Sequence, residues 1–121
     1  MVKAELINPF LEGAIVFFKH EIDIDIVRGD PRIESCHTTP EEINVLIGVT
    51  GEVEGMVLYS MNQRSAKSIA SAMVKGPIPL YDQLAESALG EMGNIITGQA
   101  ASRLEEIGYV CKLSPPILIS G

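Results

Sequence analysis

Glu91 and Asn94 are the residues of this chain whose types and spacing point most clearly to a function. On a helix, positions three apart share a face, so a carboxylate and an amide stand side by side. The residues around them are small: Ser87, Gly90, Thr97, Gly98, Ala101 and Ser102. An ordinary solvated helix face carries long charged side chains and strong helix formers. Here Gly90, Gly93 and Gly98 all fall within one helical pattern, each costing about 1 kcal/mol relative to Ala. Gly93 borders the apolar stripe, where it permits close packing. Gly90 and Gly98 flank the polar pair and leave room for another protein's backbone or active site. The result is a flat shelf with two polar side chains standing on it, suited to contact with a macromolecule. Spacing alone leaves a second reading open, in which Glu91 and Asn94 are plain surface residues and the glycines serve packing only.

Other chemistries find less support. His20 lies near a predicted helix end, where a cation suits the helix dipole, and His37 lies in a polar loop. Neither has a Ser or Cys at a telling distance, so no nucleophilic triad is indicated. The two cysteines, Cys36 and Cys111, are far apart. Cys36-His37 lacks a second ligand pair at a familiar spacing, so no metal site is expected. The net charge of −7 with nine scattered basic residues argues against nucleic acid, whose phosphates call for clustered Lys and Arg. No apolar run reaches the roughly 18 residues a membrane span needs, and Lys3, Glu5, Asn8 and Pro9 do not form a secretory leader. A cytoplasmic protein is expected.

The elements that must hold the shelf can be read from periodicity. A length of 121 residues with 46% apolar side chains fits one domain, 1–121, with a real core. Asn8-Pro9 predicts a helix over 9–20. Ile22, Ile24 and Ile26, alternating with Asp23 and Asp25, predict a strand, and a short extended piece follows to Cys36. Runs 43–49 and 53–59 predict a hairpin across Thr50-Gly51-Glu52. Asn62 caps a helix over 63–74, ended by Gly76-Pro77-Ile78-Pro79. The longest helix, 81–107, carries a core stripe of Ala85, Leu89, Met92, Ile96, Ala100 and Ile107, and Gly108 terminates it. Strands follow at 109–113 and 117–119, parted by Ser114-Pro115-Pro116. The order α-β-β-β-β-α-α-β-β predicts an α+β fold, a mostly antiparallel sheet with helices packed on one side.

The segment 86–100, ESALGEMGNIITGQA, resembles the signature helix of the CheC, CheX and FliY chemotaxis phosphatases: Ser or Asp, three residues, Glu, two residues, Asn, with a Pro further on. Ser87, Glu91 and Asn94 match the first part, and Pro115 and Pro116 lie in the region of the last. The likeness extends to 6–12, LINPFLE, to 48–55, GVTGEVEG, and to 104–109, LEEIGY. CheC and FliY carry two such helices. Here residues 9–20 hold no Glu-x-x-Asn, so the chain is similar to the CheX kind.

That resemblance implies a CheC-like fold and a phosphatase acting on the aspartyl phosphate of a CheY-type response regulator. It implies catalytic roles for Asn94, orienting the attacking water, and for Glu91, pairing with the regulator's active-site Lys. A neutral amide accepts from water and donates to phosphate without adding negative charge. Ser87, Gly90, Gly98 and Ala101 are then partner contacts. The phosphatase needs no cofactor of its own, Mg²⁺ being held by the regulator, and a homodimer through the sheets is implied. Chains of this kind run on past the region matching Ile117–Gly121, so the final strands of the sheet are expected to be missing. Two other readings compete: a non-catalytic regulator-binding module, for which the water-placing amide has no use, and a flagellar-switch subunit, which an attached second domain would favour.

Overall fold

The computed structural model describes residues 4–30 and 41–120. Cys36, His37 and the extended piece expected before them lie mostly or wholly outside these residues. The elements are α1 (Ala4–Ile22), β1 (Ile43–Gly51), β2 (Gly55–Met61), α2 (Gln63–Val74), α3 (Gln83–Glu106), β3 (Cys111–Leu113) and β4 (Ile117–Ser120).

The first strand expected from the sequence is absent. α1 continues to Ile22, Asp23 turns the chain in a left-handed conformation (φ 53°), and the Ile24 N–H reaches back 2.8 Å to the Phe18 carbonyl. Lys19 draws Asp23 and Asp25 to itself at 3.3 and 3.5 Å. The alternation of Ile22, Ile24 and Ile26 therefore follows a helix end and an irregular stretch, in which Ile24 is 41% exposed. α1 also begins earlier than expected, with Pro9 inside it. The backbone bond that Pro9 cannot donate is lost at a site where the ring is buried.

β1 is the centre of the sheet. It pairs antiparallel with β2 on one side and with both β3 and β4 on the other. The break between β3 and β4 has a covalent cause: Pro115 and Pro116 have no N–H to give a ladder. Ser114 holds the junction, its hydroxyl accepting from Gly48 N at 2.8 Å and its own N–H donating to Gly48 O at 3.0 Å. Val49 faces Leu113 and Leu46 faces Ile117, so Ser114, Pro115 and Pro116 oppose only Ile47 and Gly48. One extra residue is a bulge, and it flips which side chains face which way. Leu118, opposite Val45, is thereby turned to the helix-bearing face.

That face carries the core. Phe17, Ile43, Val45, Ala66, Leu89, Met92 and Ile96 form one buried cluster, and Ala70, Ile78, Ala85 and Ala88 a smaller one. α2 has the expected span and its Asn62 cap accepts from Ser65 N at 2.8 Å. It ends one residue earlier than Gly76, on Lys75 in the left-handed conformation (φ 58°). α3 starts at Asp82, which accepts from Ala85 N at 3.1 Å. It ends as expected at Gly108 (φ 102°), where Tyr109 N donates to Leu104 O and Gly108 N to Glu105 O. Those two bonds are the Schellman pattern. They unwind the chain at Ile107, which is 50% exposed and not core as the stripe suggested; Leu104, fully buried, takes its place.

Candidate functional site

α3 presents two faces of opposite character. Towards the sheet it is packed to contact: a Cβ on Gly93 would come 2.9 Å from Val45 Cγ1 and 3.2 Å from Ile47 Cδ1. The glycine expected at the border of the stripe thus lets the helix backbone rest on the sheet itself. Thr97, read from sequence as part of the small-residue shelf, is fully buried on this side and its hydroxyl bonds Tyr59 Oη at 2.7 Å. The shelf is correspondingly narrower.

Towards solvent stand Ser87, Glu91 and Asn94, all exposed, with Gly98 and Ala101 half-buried beside them. Helical geometry sets the Cβ atoms of Glu91 and Asn94 about 5–6 Å apart. Among the described residues neither side chain has a hydrogen-bond or ion-pair partner within the chain. Gly98 has open space around it, with nothing within 4 Å of an added Cβ.

Gly90 differs from the expectation. It is buried, and an added Cβ would meet Leu118 Cδ2 and Pro116 Cγ, each at 3.6 Å. What approaches Gly90 is this chain's own segment after the bulge. Pro116 and Leu118 make one wall of a shallow notch of about 350 Å³; Glu86, Ser87, Glu91 and Asn94 make the other, with Gly90 at its base. The notch has two carboxylates and no basic side chain in its lining. An acidic notch of this kind favours a cationic group, and the amide of Asn94 at its rim offers one acceptor and two donor hydrogens.

Sequence reasoning found the acidic and amide pair but not the wall facing it. Pro116 had a signal in the signature; Leu118 had none, because its facing depends on the bulge. Glu86 was visible as a residue of the helix but its place on the notch was not. Elsewhere, Cys111 is half-buried, and burial first, then the carboxylates of Glu52 and Glu105, push its thiol up, away from the thiolate a nucleophile requires. Among the described residues no three His, Cys, Asp or Glu side chains gather as metal ligands. No helix among them is long and apolar enough to cross a membrane.

Residues 43–121 match the family model described as chemotaxis phosphatase CheX. Over 119 residues the chain is 32% identical to the CheY-P phosphatase CheX of Thermotoga maritima, covering 98% of this chain and 77% of that protein. Among solved structures it is similar to the chemotaxis protein CheX of Desulfovibrio desulfuricans. There the TM-score is 0.89 with 25% identity, over 97% of this chain and 78% of the other. It is also similar to CheX in the CheX–CheY–BeF3–Mg²⁺ complex of Borrelia burgdorferi. That match has a TM-score of 0.81 with 26% identity, over 98% and 78% of the two chains.

Proposed function

The chain belongs to the CheX family of chemotaxis phosphatases, and from that membership we propose that it hydrolyses the aspartyl phosphate of a CheY-type response regulator. The single observation that carries the reading is the exposed Glu91–Asn94 pair, without a partner among the described residues, at the rim of an acidic notch on a rigidly seated helix. The likeness to a protein named CheY-P phosphatase and to one captured with CheY supports the choice of substrate.

In this mechanism α3 docks on the regulator's phosphorylated site. Glu91 meets the regulator's active-site Lys, and its charge is tolerated in the interface because it is paired there. Asn94 enters beside the phosphoryl group, its carbonyl oxygen accepting from a water and its amide donating to a phosphoryl oxygen. The water oxygen forms a bond to phosphorus as the bond from phosphorus to the aspartyl oxygen breaks. Aspartate leaves as carboxylate, and both water protons end on inorganic phosphate. The protein supplies position, as a water-orienting Gln does in GTPases; the Mg²⁺ that neutralises phosphoryl charge belongs to the regulator. Ser87, Gly98 and Ala101 form the contact shelf, and Gly90 keeps the base of the notch free of a side chain. The reaction takes place in the cytoplasm, where the regulator works.

The same reading includes a homodimer through the sheet. Supporting it, β2 is an edge strand of the described sheet with neither charge nor proline in its seven residues. Such an edge invites strand pairing. Met56 on it is 74% exposed.

The test is the decay of a phosphorylated CheY homologue with wild-type protein and Asn94→Ala side by side at catalytic concentration. Wild type should speed the decay, and the variant should lose about a hundredfold while still binding the regulator. Equal rates in the two would remove Asn94 from the chemistry. Binding without acceleration by the wild type would leave a docking module.

A further inference from the structure

We infer that the hydroxyl pair of half-buried Tyr59 and buried Thr97 is a positioning device that sets the rotation of α3, and with it the placement of the Asn94 amide. The inference rests on the proposed reaction at Asn94.

Thr97 lies at the sheet side of α3 and is 0% exposed. Its neighbours in the stripe are apolar, and its hydroxyl is spent on a bond to Tyr59 Oη, 2.7 Å away on β2, in which either oxygen can donate. One turn earlier lies Gly93, whose missing Cβ would sit 3.7 Å from Tyr59 Cδ2. The Tyr59 ring therefore spans the two successive turns that rest on the sheet. Asn94 is one residue after Gly93 and three before Thr97, so at about 100° per residue it rides roughly 60° round the helix from Thr97.

The two contacts do different work. Gly93 against Val45 and Ile47 fixes how deeply the helix sits, but an apolar contact is non-directional and a glycine offers no grip against rotation. A short hydroxyl–hydroxyl bond is directional and resists it. A helix is about 5–6 Å in radius with side chains, so a turn of about 10° carries the Asn94 amide roughly 1 Å. That displacement is enough to cost a water-orienting group up to about a hundredfold. Glu91 has a longer, more adaptable side chain and meets a charge, so docking tolerates the same turn. The signature of a positioning role is thus a fall in kcat with KM kept.

Stability alone gives no reason for the pair. Replacing both partners of a buried hydrogen bond by apolar groups of the same shape is nearly neutral, so a Phe facing a Val here would pack as well. That supplies the test. Tyr59→Phe alone leaves the Thr97 hydroxyl buried and unpaired and should lower the melting temperature. The double variant Tyr59→Phe/Thr97→Val should recover the melting temperature. Thr97→Ser keeps the hydroxyl. In the dephosphorylation assay the double variant should lose between about tenfold and a hundredfold in kcat with KM within about twofold, and Thr97→Ser should stay within about twofold of wild type. A double variant that melts like wild type and turns over like wild type overturns the proposal. Asn94→Ala, run alongside, separates the two failures. If it is active, the site assignment falls and takes the positioning role with it. If it is inactive while the double variant works, the positioning role falls alone.

Discussion

The same substitution at two glycines of α3 should have opposite effects, because one glycine touches the sheet and the other touches nothing. In Gly93→Ala the new methyl would lie 2.9 Å from Val45 Cγ1 and 3.2 Å from Ile47 Cδ1. Both neighbours are fully buried, and Val45, the nearer, is stiff at χ1 as a β-branched side chain, so the strain falls mainly on the backbone seat of the helix. Overpacking of this kind costs about 1–3 kcal/mol, and the gain in helix propensity returns about 1 kcal/mol. The net is a loss centred near 1 kcal/mol. Gly98→Ala meets nothing within 4 Å and collects only the propensity term, a gain of about 0.5–1 kcal/mol. The two variants should therefore differ by about 2 kcal/mol. With a urea dependence of about 1–3 kcal/mol/M, their unfolding midpoints by circular dichroism should stand about 1 M apart, on either side of wild type. Coincident midpoints, or Gly93→Ala the more stable, would refute the packing argument. Gly98→Ala carries a second readout, since its methyl stands on the contact shelf: KM for the phosphorylated regulator should rise as stability rises.

Other outcomes follow from single residues. Glu91→Lys sets like charges together at the proposed docking contact and should weaken regulator binding by at least about tenfold; an unchanged Kd by titration calorimetry would dismiss the Lys pairing. Lys75 holds a left-handed φ of 58° at the end of α2, so Lys75→Gly should raise stability by about 0.5–1 kcal/mol, visible as a higher melting temperature; a lower one would show that the lysine side chain earns its place. Burial holds the Tyr59 hydroxyl above its usual value near 10, with the Thr97 bond pulling the other way. On unfolding the hydroxyl returns to that value, so its contribution is complete below about pH 10 and drains away as pH climbs towards the folded value. Tyr81 and Tyr109 are raised as well, by burial and by a bond to Glu5. Tyr59→Phe should therefore flatten, without abolishing, the alkaline fall in melting temperature, and an unaltered slope would count against the burial argument.

What could be read from the sequence depended on whether a local cause was enough. Asn62 and Gly108 cap helices through a side chain or backbone freedom that acts within a few residues, and the ends they predict, the start of α2 and the end of α3, agree with the structure to within about two residues. The alternation at 22–26 failed because a period of two needs a neighbouring strand to become a strand, and Lys19 and the Asp23 turn offered the chain a local alternative. Ile107 failed for a similar reason: its place on the stripe assumed a helix that Gly108 had already begun to unwind. Glu91 and Asn94 were legible because both halves of the signal, the pair and the small residues round it, lie on one element. Thr97 looked like a member of that small set, but it lies one turn after Gly93 on the sheet side of α3, where Tyr59 of β2 takes its hydroxyl.

The notch makes the same point in reverse. Its polar wall belongs to a little over two turns of α3, but its apolar wall depends on a one-residue bulge between β3 and β4. Two consecutive prolines withhold their N–H groups from β1, and Ser114 supplies the replacement contact to Gly48. The resulting change of parity brings Pro116 and Leu118 against Gly90 rather than leaving them on the opposite face. A signature that joins a helical Glu and Asn to a distant Pro thus has a physical basis in this chain: the proline helps to break the ladder that would otherwise turn the wall away. The chemistry assigned to Asn94 needs an amide held to within about 1 Å. On the proposed mechanism the amide is held from behind, by a helix that rests on the sheet at Gly93 and bonds it at Thr97, and from the side, by a strand set by its bulge.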